Sequence, residues 1–238
     1  MLRLTPTRIA GPLAAGLIFA AAPLGAIARP PESYIANSHL DAVQFLAPPP
    51  APGSLAQQAD GAAVRAGQAL AGRPRWARAQ SDDDLSPFTA FGPVLGRRFT
   101  AGRAPKTAAL FTVLFNDVKT QTAPAKDHFG RLRPPLVDRS IKTCRPLEQT
   151  KSYPSGHASR GWMMALVLSD VLPEKADALL ARGRDYGDSR VVCGEHFPSD
   201  VEAGRLIGAS VFAAAMADPI FRRDLQAVRA ELRPLLLP

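Results

Sequence analysis

The sequence predicts an all-α helical bundle, on three observations. Apolar residues recur at helical spacing in several long stretches. Helix start and stop signals bracket those stretches. No run alternates apolar and polar residues over the length of a strand, and no internal repeat is present.

Residues 1–28 do not read as part of the bundle. Arg3 and Arg8 form a positive leader, Ile9 to Ala22 is apolar, and Ala26-Ile27-Ala28 offers small residues at a cleavage site. This is the layout of a secretory signal peptide. Pro12, Pro23 and an apolar run shorter than the ~20 residues of a spanning helix set it apart from a retained anchor. The expected organisation is a signal peptide at 1–28, an extended proline-rich segment at 29–53 and a helical domain at 54–238. After cleavage no membrane segment is expected, and the protein is expected to be exported.

The elements follow in order. Ala47 to Gly53 holds four prolines, which lack the N–H donor and fix φ, so it is extended. Ser54 is a candidate N-cap for a helix running to about Leu70. Ser81 to Ser86, SDDDLS, reads as an acidic turn. Arg103 to Thr120 carries Leu110, Phe111, Val113, Leu114 and Val118 in a buried-helix pattern. Lys126 to Arg133 reads as a separate helix stopped by Pro134-Pro135, its ends on one face because seven residues drift only about 20°. Pro135 to Tyr153 is a loop, and Ser155 to about Leu172 a strongly apolar helix. Glu174 to Asp185 is a shorter helix, with Gly187 to Pro198 as a connection. Ser199-Asp200-Val201-Glu202 has the form of a capping box before the apolar Gly204 to Met216. A last amphipathic helix spans Asp218 to about Leu232.

Net charge is +8, falling to +6 once Arg3 and Arg8 leave with the signal. The basic residues are dispersed and aromatics make up only 7%. A surface that draws in anionic ligands fits this better than dedicated nucleic-acid binding. The chain has two cysteines, Cys144 and Cys193. In an exported chain such a pair reads as a disulfide, with two buried thiols as the other possibility. Closing that loop is worth at most roughly 4 kcal/mol in the loop-entropy picture.

Three separated clusters carry chemistry. They are Lys126 with Arg133-Pro134, Pro154-Ser155-Gly156-His157, and Ser189-Arg190 followed by His196 and Asp200. Each alone is weak: a histidine near a helix start is usually structural, and Arg-Pro is often a plain helix end. Together they make a phosphoryl-transfer site. Lys126, Arg133 and Arg190 are cations for phosphate oxygens, the arginines able to fork onto two each. Ser155 and Gly156 open a helix, where free N–H groups favour an anion. Asp200, four residues after His196, is placed to hold one nitrogen of its ring, leaving the other as a nucleophile. His157 is then the general acid and base. No metal or other cofactor is called for, since His39 and His128 lack ligand partners.

These clusters resemble the signature of the phosphatidic acid phosphatase type 2 and vanadium haloperoxidase superfamily. The similarity is strongest to bacterial class A non-specific acid phosphatases, and extends to FLAPPPAPGS (Phe45 to Ser54), Lys142 to Trp162, and Ser189 to Arg205. The resemblance implies a helical bundle of the acid phosphatase type, a periplasmic, metal-independent enzyme, homo-oligomers and broad activity on phosphomonoesters such as nucleotides, sugar phosphates and aryl phosphates. It implies that His196 is the phosphorylated nucleophile, Asp200 its partner and His157 the proton donor, with Lys126, Arg133, Ser155, Gly156 and Arg190 as phosphate ligands. Two further readings use the same pocket: a haloperoxidase holding vanadate, and a non-catalytic binding protein for phosphate or nucleotide.

Overall fold

The computed structural model describes residues 31–236, so the expected signal peptide lies outside the described residues. Ten α-helices and one 3-10 turn follow in order. They are α1 (Ala42–Phe45), α2 (Leu55–Gln68), α3 (Pro74–Ser81), α4 (Pro87–Leu95), α5 (Pro105–Phe129), α6 (Pro134–Val137), α7 (Gly156–Val171), the 3-10 turn (Pro173–Lys175), α8 (Ala176–Val192), α9 (Pro198–Ala217) and α10 (Pro219–Leu236). No strand occurs among the described residues, so the all-α expectation holds.

Helix α7 is the centre. Met163, Met164, Ala165, Val167 and Leu168 are all buried, and these positions span more than half of the circumference. A helix with so wide an apolar face has to be enclosed. Helices α8 and α9 flank it, and α5 and α10 cover the remainder. The approach of α9 is very close. A Cβ on Gly204 would collide with the carbonyl oxygen of Ser155 and lie 3.0 Å from Ala158 Cβ. Without one, the N-terminal ends of α7 and α9 meet almost backbone to backbone, and the Ser155 N–H donates to the Asp200 carbonyl at 2.9 Å.

The segment before α2 holds turns at 36–37 and 52–53 besides the single turn of α1, and side-chain bonds hold it to α5. Asp117 on α5 accepts from the Ser33 hydroxyl at 2.6 Å and the Tyr34 N–H at 3.0 Å. The Tyr34 ring packs edge-on against Phe221 of α10 at 5.1 Å between centroids.

The structure corrects the sequence reading in four places. Helix α5 runs unbroken through Pro124 to Phe129, because burial of Val118, Thr122 and Ala125 outweighs the one backbone bond that proline forfeits. It stops at Gly130, whose left-handed φ of 62° ends the helix. Lys126 and Arg133 therefore share no helix face; Arg133 sits on extended chain as the N-cap of α6. Helix α8 continues to Val192, so Ser189 and Arg190 are helical rather than in a connection. The α9 cap is Phe197, not Ser199: the Asp200 side chain at the third helical position accepts the Phe197 N–H at 2.8 Å. Helices α3 and α4, each opened by a proline, were not anticipated.

Replacing Gly204 with alanine should force α9 off α7. An overpacked core costs about 1–3 kcal/mol, which lowers Tm by roughly 2–12 °C for a domain of this size. Gly61→Ala, in a helix where the added methyl meets only the flexible end of Arg65, should raise Tm or leave it unchanged. Thermal melts of the two variants side by side check this.

Candidate active site

The site forms where the starts of α7 and α9, the end of α8 and the loops before α4 and α7 converge. His196 lies in the turn from α8 to α9 and is 1% exposed. Its Nδ1 is 3.5 Å from Asp200 Oδ2 and 3.4 Å from the Ser152 hydroxyl. Its Nε2 lies 3.3 Å from a guanidinium nitrogen of Arg133. A guanidinium only donates, so Nε2 is the acceptor and the ring proton sits on Nδ1, toward Asp200. Burial, then Arg133 and Lys126, hold the imidazole well below its ordinary pKa, so it is neutral.

Asp200 is completely buried and fully engaged. Oδ2 accepts from Ser152 at 2.6 Å and from the Phe197 N–H, and Oδ1 accepts from Arg131 at 2.6 Å. Arg131 also reaches Asp60 of α2 at 2.7 Å and stacks over the Phe197 ring at 4.2 Å. The Ser199 N–H donates to Asp60 at 3.1 Å. The loop carrying His196 is thus clamped to α2 through two buried carboxylates and one arginine.

Two more guanidiniums are buried beside it. Arg133, 1% exposed, donates to the Glu195 carboxylate and carbonyl at 3.0 Å each, to Glu148 at 2.6 Å and to the Thr150 carbonyl at 2.8 Å. Arg190, also 1% exposed, donates to Asp83 at 3.0 Å, and its Nε has no partner among the described residues. Lys126 is half-buried near the end of α5 and donates to the Lys151 carbonyl. Burial first, then Arg133, brings its pKa down to about 8.

His157 stands in the first turn of α7, with Nε2 3.2 Å from the Asp83 carbonyl and 3.8 Å from its carboxylate. Burial, then Arg190, pushes it down to about 3. Ser155 caps α7 by accepting the Ala158 N–H at 3.3 Å, which leaves its hydroxyl proton free to donate. Gly156 is the first residue of that helix. These contacts bring His196, Asp200 and Arg133 together, join His157 to Arg190 through Asp83, set Ser155 against the Asp200 backbone and take Lys126 to the residue before Ser152. Cys144 and Cys193 form the disulfide, with Cα atoms 5.0 Å apart, and pin the loop before α7 to the end of α8.

Residues 105–224 match the PAP2 superfamily. The chain belongs to that superfamily. It is similar to the non-specific acid phosphatase of Salmonella typhimurium, 41% identical over 79% of this chain and 78% of that protein. The non-specific acid phosphatase of Providencia stuartii is 35% identical over 99% of each chain. The acid phosphatase of Zymomonas mobilis is 34% identical over 93% of this chain and 86% of that protein.

Several groups in this PAP2 site carried no readable motif. Asp83 pairs with Arg190 and Arg145, and its loop is fixed because the preceding Asp82 is bound by Arg182 and Ser189. Glu148 lies on the loop before α7. Oxygens of Asp83 and Glu148 and a ring nitrogen of His157 fall within 4.8 Å of one another. A metal fits this cluster poorly, because Arg133, Arg145 and Arg190 already neutralise both carboxylates. The SDDD run was the one available hint of Asp83; Glu148 had none.

The depressed His157 has a consequence for stability. Its folded pKa of about 3 lies below the ordinary 6.5, so between these values the unfolded chain binds the extra proton and falling pH favours unfolding. From pH 7 to pH 5 the wild-type chain should lose up to about 2 kcal/mol through this group. His157→Gln should lose less over the same interval, a difference read from melts at the two pH values.

Proposed function

We propose that this acid phosphatase hydrolyses a broad range of organic phosphomonoesters through a phosphohistidine formed on His196. The observation that carries the reading is the two-sided setting of His196. One ring nitrogen is held by Asp200 and Ser152, and the other, unprotonated, faces Arg133 in a cationic pocket. A site that only bound anions would have no use for a nitrogen lone pair among its cations. A nucleophile needs that lone pair.

In this reading Arg133, Arg190, Lys126, the Ser155 hydroxyl and the N–H groups opening α7 take the phosphate oxygens. They are fixed before substrate arrives, so they stabilise the charge spread over the equatorial oxygens at no reorganisation cost. His196 Nε2 attacks phosphorus as the ester P–O bond breaks. Asp200 balances the positive charge that develops on the ring. His157 gives its proton to the departing alkoxide. Water then attacks the phosphohistidine, loses a proton to His157, breaks the P–N bond and releases inorganic phosphate. The charge of a bound phosphate next to His157 opposes the burial that keeps it neutral in the free pocket.

We also infer export to an oxidising compartment. The Cys144–Cys193 disulfide supports it, since such bonds persist there and are rare in the cytosol.

His196→Ala should abolish turnover while leaving the melting transition in place. Alkaline quenching during turnover of labelled substrate, which preserves the acid-labile P–N bond, should trap phosphate on wild-type His196, with or without a chelator. Retained activity, or no trapped label, removes the nucleophile. His157→Asn should slow alkyl phosphates roughly 10²–10⁴-fold and activated aryl phosphates much less, because a good leaving group needs no proton. Equal losses on both classes rule out the acid role.

A further inference from the structure

The pocket assigned to phosphate already holds an anion of the chain itself. Glu148 Oε2 is 2.6 Å from Arg133, the cation nearest His196 Nε2, and accepts the Thr150 hydroxyl at 3.1 Å. The same carboxyl group is within 4.8 Å of a His157 ring nitrogen. It therefore stands beside one imidazole and bonds the guanidinium that touches the other. A phosphoryl group attacked by His196 and protonated through His157 has to enter the same space.

The two partners differ in their freedom to move. Arg133 is 1% exposed and held by Glu195 and the Thr150 carbonyl, whereas the Glu148 side chain is 39% exposed. The loop around it is anchored on both sides, by the disulfide at Cys144 and by the bonds from Lys126 to Lys151 and from Ser152 to Asp200. Glu148 can rotate its carboxylate into solvent while the loop and the arginine stay. The pairing is an ion pair: burial raises the carboxyl, but Arg133, the two imidazoles and Arg190 together outweigh it and bring it down to about 2.

We propose that Glu148 is an internal competitor for the phosphate pocket, displaced by the incoming phosphoryl group, and so a residue that sets the affinity for substrate and product. This rests on the phosphate-site reading above. An anion with up to two charges that forks onto Arg133 and Arg190 outcompetes one carboxylate. It binds less tightly than an empty pocket would allow, because the Glu148–Arg133 contact has to break first. The same contact screens the buried guanidinium while no substrate is present. One displacement precedes binding of ester and of inorganic phosphate alike, so both affinities carry the same penalty.

The test uses the full chain, an aryl phosphate as substrate and inorganic phosphate as competitive inhibitor. Glu148→Gln and Glu148→Ala should lower KM and the phosphate Ki by the same factor, roughly threefold to thirtyfold, the scale of one partly exposed charge-assisted hydrogen bond. Without ligand both variants should melt lower than wild type, and saturating phosphate should close the gap. A rise in KM and Ki would make Glu148 a substrate ligand, and no change would make it a bystander; either result overturns the proposal. Arg133→Ala separates this from the reading beneath. If it destroys phosphate inhibition while the Glu148 variants match wild type, only the competitor role fails. If it too leaves Ki unchanged, the pocket is not the phosphate site and both readings fall.

Discussion

The carboxylate of Asp200 is the constraint on which the rest of this structure depends. A fully buried carboxylate survives only if its lone pairs are filled, and here Arg131, Ser152 and the Phe197 N–H fill them. Its backbone carbonyl takes the first N–H of the α7 cap. One residue thus joins the start of α7, the start of α9, the loop before α7 and, through Arg131 and Asp60, helix α2. What remains for His196 Nδ1 is a contact of 3.5 Å, enough to orient the ring.

A second requirement is charge compensation. Three arginines are buried around one histidine pair, and each has a carboxylate: Asp60 and Asp200 for Arg131, Glu195 and Glu148 for Arg133, Asp83 for Arg190. Buried ion pairs seldom add much net stability, because desolvation cancels most of the attraction. Their value here is positional. The cations are set in place by these partners, and Arg190 Nε is left without one among the described residues. Both imidazoles are kept neutral by burial and by positive neighbours, Arg190 beside His157 and Arg133 with Lys126 beside His196.

The helical frame serves this placement. Four segments far apart in sequence can bring side chains to one point only if their backbones come close, and Gly204 facing the Ser155 carbonyl achieves this for the two that matter most. The disulfide does the corresponding task for the loop carrying Glu148 and for Arg190, tying positions 49 apart.

Much of this was legible beforehand. The apolar run of α7, its Ser155 cap, the amphipathic α10 and the pairing of two lone cysteines all follow from local pattern and composition. The spacing His196 to Asp200 was readable too, because both lie within about one helical turn. What failed was instructive. Two helices were expected, at 103–120 and 126–133, where tertiary burial sustains one that ends at Gly130, and a connection was expected from Gly187 where α8 continues to Val192. The partners Asp60, Asp83 and Glu148 left no motif, since they meet their arginines across 71, 107 and 15 positions through folded loops. By itself the sequence determined the chemical inventory of the site and the helices that bear most of it, because those depend on residue type and short-range spacing. Only the tertiary structure decided which carboxylate neutralises which cation, because ion pairing inside a protein answers to distance in space and to the cost of burying charge, neither of which a linear pattern encodes.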